Sequence, residues 1–72
     1  MIKYDIEYNS FDGMWWVGEW KTTKTNREFF SPFDGMSFKD KHKAYNKAKE
    51  LTDDKLDRGI DAVFVSQYLK TE

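Results

Sequence analysis

MWWVGEWKT, residues 14–22, holds all three tryptophans of the chain. Its aromatic and β-branched content reads as a strand. The fold depends on which of its side chains share a face with the segment before it. Residues 2–8, IKYDIEY, alternate strictly, with Ile2, Tyr4, Ile6 and Tyr8 on one face and Lys3, Asp5 and Glu7 on the other. A period of two over this length predicts a half-buried strand. Between the two segments lies Asn9-Ser10-Phe11-Asp12-Gly13, in which Gly13 can take the positive φ of a tight turn. An antiparallel hairpin follows.

Alternation through the second strand brings a conflict. In a regular strand Trp15, Val17 and Glu19 lie on one face, and Trp16 and Trp20 on the other. Glu19 would then share the apolar face. A glycine inside a strand often marks a bulge, and a bulge at Gly18 would reverse the parity beyond it. Trp15, Val17 and Trp20 would join the Ile2/Tyr4/Ile6/Tyr8 face, leaving Trp16, Glu19 and Lys21 outside. The bulged register is preferred; the regular one stays open. Trp16 points outward in both.

Beyond the hairpin, residues 22–26 read as a loop and 27–31 as a short third strand around Phe29 and Phe30, stopped by Pro32 or carrying it at an edge. The string FDGM, found at 11–14, recurs at 33–36. Its Asp-Gly supplies turn chemistry, so the second copy is expected to turn into a helix, with Ser37 and Asp40 resembling a capping box. The helix is predicted over about 38–57. Ala44, Tyr45, Ala48 and Leu51 form its apolar stripe, with a bend or restart near Thr52 and Gly59 just past its end. Residues 60–69 carry apolar side chains on both faces, which predicts a central final strand. A right-handed crossover would bring that strand beside the first. The expected fold is α+β: a small antiparallel sheet of three to four strands with one helix on one face, in the order β-β-(β)-α-β.

The chain has 72 residues, which allows one domain. A domain this small has a thin stability margin. With no cysteine it has no disulfide, and its 18% aromatic content must supply much of the core. Formal net charge is −1, which gives no global attraction to nucleic acid or anionic lipid. Locally the balance is uneven. Lys3 stands against Asp5, Glu7, Asp12 and Glu19 in the first twenty residues, a net of −3. Lys39, Lys41, Lys43, Lys47 and Lys49 stand against Asp40 and Glu50 over 39–51, a net of +3. No apolar run reaches transmembrane length and the N-terminal residues lack an apolar signal core, so a cytoplasmic protein is expected.

No catalytic constellation is legible. Nucleophilic catalysis needs a nucleophile, a base and a group that orients the base. The single histidine, His42, sits among lysines on the predicted helix and reads as solvated. Asp53, Asp54 and Asp57 lack EF-hand spacing and read as acids starting a helical turn. The glycines are isolated, so no phosphate loop exists. The expectation is a chain that is not an enzyme, with no cofactor and no metal.

Two surfaces remain. Lys39, Lys43 and Lys47 recur every four residues on the helix, a possible basic surface, although a solvated face explains them as simply. On the sheet face away from the helix, Trp16 has no second layer to cover it. With Asp5, Glu7 and Glu19 around it, it forms an aromatic anchor inside an acidic rim, which points to a protein partner. Single-stranded nucleic acid is the alternative: sheet aromatics stack bases and lysines follow a backbone, yet carboxylates on that face would repel phosphates. In size, absence of cysteine, Lys/Asp/Asn-rich polar composition and strand–helix make-up, the chain resembles small phage-encoded inhibitors of host proteins, the anti-CRISPR and host-takeover type. That resemblance implies stoichiometric inhibition by occlusion, without catalysis or cofactor.

Overall fold

The computed structural model describes residues 1–66. Five elements follow the chain: β1 (Ile2–Asn9), β2 (Met14–Thr22), β3 (Glu28–Phe38), α1 (Lys41–Asp57) and β4 (Ala62–Phe64). They form a four-stranded sheet in the order β3-β2-β1-β4 with the helix packed on one face. The class is α+β, as the periodicities predict. β1, β2 and β3 are antiparallel neighbours, while β4 runs parallel to β1. The chain thus leaves one edge of the sheet at β3 and returns through α1 to the other, beside the first strand as expected. β4 is nonetheless an edge strand, not a central one, and has three residues. Of the rest of the predicted final strand, Ile60, Asp61, Val65 and Ser66 are not in a strand, and 67–69, with Tyr68 and Leu69, lie outside the described residues.

The β1–β2 hairpin turns through 10–13. Asn9 accepts the Gly13 amide on its backbone oxygen and the Phe11 amide on its side chain, both at 2.8 Å, and Gly13 takes φ +69°. From there the pairing is unbroken: Tyr8 faces Trp15, Glu7 faces Trp16, Ile6 faces Val17, Tyr4 faces Glu19 and Lys3 faces Trp20. Directly opposed residues share a face. The regular register therefore holds, and the bulge at Gly18 is overturned. Trp15, Val17 and Glu19 lie on the helix side; Trp16 and Trp20 lie together on the outer side. Glu19 is tolerated there because it is only half-buried and has the Lys21 ammonium at 3.9 Å.

Gly18 has a different reason to be glycine. A Cβ built on it would stand 2.3 Å from the Ser31 carbonyl oxygen, 2.7 Å from Pro32 Cα and 2.8 Å from the Phe30 ring. β3 crosses so close that no side chain fits. The irregularity lies on β3 instead. Trp16 pairs with Ser37 and Gly18 with Pro32, so the single residue Val17 is matched by Phe33, Asp34, Gly35 and Met36. The second FDGM is thus a bulge inside a longer β3, not a turn into the helix. Gly35 takes φ +75° at its bend, and Phe33 and Met36 pack against the core. The two copies of the string do opposite things: one holds its Phe fully in solvent at a hairpin tip, the other puts its Phe inward.

Ser37 belongs to β3, so the expected capping box is absent. Asp40 alone caps the helix, accepting the His42 amide at 2.8 Å. Lys39 precedes the cap and is not on the helix. The helix passes through Thr52 without a restart. Ala44, Ala48 and Thr52, four apart, lie against the sheet, and the Thr52 hydroxyl donates to the Ala48 carbonyl at 2.9 Å. Two alanines on this stripe let the helix sit close over Ile6, Val17 and Phe64, with Tyr45 and Leu51 flanking. At its end the Gly59 amide donates to Leu56 and the Ile60 amide to Lys55, the paired bonds of a Schellman motif, with Gly59 at φ +78°.

Candidate functional site

The outer sheet face has a closed end and an open end. At the closed end, Asp5 is only 8% exposed. Its carboxylate accepts the Trp20 indole N–H at 2.8 Å and the Ser66 hydroxyl, and lies 2.8 Å from the Ile6 amide. The Trp20 ring packs edge-on against Phe30, with centroids 5.8 Å apart, in the space that Gly18 leaves. Lys3 reaches Glu28 at 2.9 Å alongside. Asp5 was expected in the rim of a binding face; the structure makes it an internal acceptor that joins β1, β2 and the segment after β4. Asp5→Ala would leave a half-buried indole N–H and a hydroxyl without their acceptor. The expected loss is about 1–3 kcal/mol, with a smaller loss for Asp5→Asn, which keeps one acceptor oxygen. Urea unfolding of both variants checks this, and a change within about 0.5 kcal/mol for Asp5→Ala would place the carboxylate in solvent instead.

At the open end stands Trp16. Its indole N–H donates to Asp12 Oδ2 at 2.9 Å, while Asp12 Oδ1 accepts the Met14 amide at 2.9 Å. The hairpin turn thereby fixes the orientation of the ring. The other two tryptophans have ring partners: Trp20 has Phe30, and Trp15 has Tyr8 at 5.3 Å with the Lys41 ammonium 5.0 Å over its ring. Trp16 has no aromatic or cationic partner among the described residues. Glu7, directly opposite on β1, is exposed and makes no ion pair among them.

A groove of 470 Å³ runs along this end, lined among others by Glu7, Tyr8, Phe11, Trp16, Phe30 and Pro32. Phe11 is 100% exposed at the hairpin tip. Neither Phe11 nor Asp12 was expected at the site. The signal for Phe11 was present in sequence, since an aromatic at the centre of a tight turn has no strand face to pack on. Asp12 gave no such signal, because its turn role accounts for it. Of the four expected rim and anchor residues, Trp16 and Glu7 meet here. Glu19 lies on the opposite sheet face beside Tyr4, whose phenol is pushed above its ordinary range by burial first and then by the Glu19 and Asp54 carboxylates.

The basic surface is only partly assembled. Lys43 is exposed on the helix, Lys39 lies before it, and Lys47 is half-buried with its ammonium 3.4 Å from Glu50. These lysines sit on or beside the element that covers the face away from Trp16. Asp53, Asp54 and Asp57 are exposed in the second half of the helix, with Asp54 facing Arg58 at 3.4 Å. No cluster of three or more metal-ligating side chains occurs among the described residues. No helix there is long and apolar enough to cross a membrane.

No protein-family model, curated protein or solved structure matches the chain.

Proposed function

We propose that this chain is a non-catalytic protein-binding module that acts by occupying a partner's surface, in the manner of small phage-encoded inhibitors of host proteins. One observation carries the reading: an indole held rigid by Asp12, with no ring partner among the described residues, on the sheet face the helix leaves bare. Large aromatics in such settings are common interface anchors. A pre-oriented ring also loses little side-chain entropy on binding. Phe11 extends the apolar surface, and Glu7 and Asp12 form a polar margin.

The nucleic-acid alternative is disfavoured by the same geometry. Carboxylates of Glu7 and Asp12 flank the one open tryptophan, Lys3 at the far end of that face is paired with Glu28, and Lys39, Lys43 and Lys47 lie on the helix side of the sheet. Stacked bases would bring phosphates toward negative charge.

The test is affinity capture from nuclease-treated lysate of the native host, with the wild-type chain and Trp16→Ala side by side, followed by calorimetric titration of the recovered partner. Binding should weaken at least about tenfold, equivalent to roughly 1.4 kcal/mol. Trp16 is half-buried and bonded to Asp12, so the variant should also lose about 1–2 kcal/mol of stability rather than none. Equal binding by the two proteins would remove Trp16 from the interface.

A further inference from the structure

The groove at the open end has a chemistry more specific than apolar contact. We infer that it takes an arginine side chain of the partner protein, its guanidinium lying on the Trp16 indole and paired with Glu7. This rests on the protein-binding reading above and names what that face recognises.

Three observations converge on it. The Trp16 ring is fixed by Asp12 yet has no aromatic or cationic partner among the described residues, whereas Trp15 and Trp20 each have a ring partner. Glu7 stands across the strand pair from Trp16, on the same face, with its carboxylate unpaired among the described residues. Among the described residues no lysine or arginine lines the groove, so none of them compensates its charge. An open indole beside a free carboxylate is complementary to a flat cation.

Arginine satisfies all three better than lysine. Its guanidinium is planar, stacks on aromatic faces, and meets a carboxylate with two parallel N–H donors. It is also more weakly hydrated than an ammonium, so less is lost on leaving water. Phe30 and Pro32 offer apolar surface for its methylene stem. The fold already makes a related contact on its other face, where Lys41 lies over Trp15. That contact is intramolecular; at Trp16 no described residue supplies the cation.

The experiment is a selection of random short peptides displayed on phage against the immobilised wild-type chain, with counter-selection on Trp16→Ala. Enriched peptides are expected to share an arginine. A synthetic representative, titrated against the wild-type chain, should bind at least roughly fivefold more weakly when its arginine is changed to lysine. Glu7→Gln should weaken the original peptide at least about tenfold, since Glu7 is exposed and its replacement leaves the fold intact. The peptide-side substitution needs no protein variant, so it decides the matter even if a variant is poorly folded. Trp16-dependent peptides without a shared arginine, or indifferent to Glu7→Gln, would overturn the arginine assignment while leaving the binding face standing. Recovery of no Trp16-dependent peptide would overturn both.

Discussion

Gly18→Ala is expected to lower stability by about 3 kcal/mol or more, at the upper end of what overpacking costs. The reason is where the obstruction lies. Two of the three atoms a new Cβ would meet, Ser31 O at 2.3 Å and Pro32 Cα at 2.7 Å, belong to the β3 backbone. A side chain could rotate aside; a paired strand cannot move without breaking its ladder to β2. The third contact is the Phe30 ring, so the same methyl would also disturb the packing under Trp20. A domain of this size has only several kcal/mol in total, and the variant should unfold at a much lower denaturant concentration. Gly35→Ala is the informative companion. Nothing lies within 4 Å of that position, and only its φ of +75° penalises a side chain, so its cost should stay near 1–2 kcal/mol. If Gly18→Ala lost less than about 1 kcal/mol, β3 would not cross β2 this closely.

The other large effect is expected at Phe64. Its side chain is fully buried, between the helix and the β1–β2 pair, with its ring 4.8 Å from that of Tyr45 in an edge-on arrangement. It is also one of only three residues in β4, the strand that closes the crossover. Phe64→Ala should therefore cost about 3–5 kcal/mol, the range for deleting a buried aromatic ring. Phe64→Leu, which retains most of the buried volume, should cost distinctly less. Chemical unfolding monitored by tryptophan fluorescence separates the two. A loss under about 1 kcal/mol for the alanine variant would show that β4 is not part of the cooperative core.

Much of this fold is legible because it is written in local periodicity. The alternation of Ile2, Tyr4, Ile6 and Tyr8, the Ala44/Tyr45/Ala48/Leu51 stripe and Gly59 past the helix end each carry their own physical signature over a few residues. Placement of the last strand beside the first follows from chain handedness. What is not legible depends on a neighbour distant in sequence. A strand glycine can signal a bulge or a close crossing, and only the position of Ser31 and Pro32 tells which applies at Gly18. Asp34-Gly35 reads as a turn because Asp-Gly normally is one; that it is absorbed as a bulge follows from the pairing with β2. The site divides in the same way. Strand parity alone places Trp16 outside. Asp5 reads as a solvated strand charge, yet its acceptors are filled by Trp20 and Ser66, 15 and 61 residues away.

The interruption of β3 bears on how this protein behaves in a crowd. A sheet edge with a complete row of free amides and carbonyls is a template for another chain, and edge-to-edge growth is the usual route from such a surface to aggregation. β3 is one edge of this sheet. Pro32 removes an amide from its middle, and the 33–36 bulge breaks the straight run immediately after. The opposite edge, β4, offers only three paired residues. Both rims of the sheet are thus poor templates for strand addition. The aromatic face can stay open to the proposed partner while the margins of the same sheet resist joining to copies of themselves.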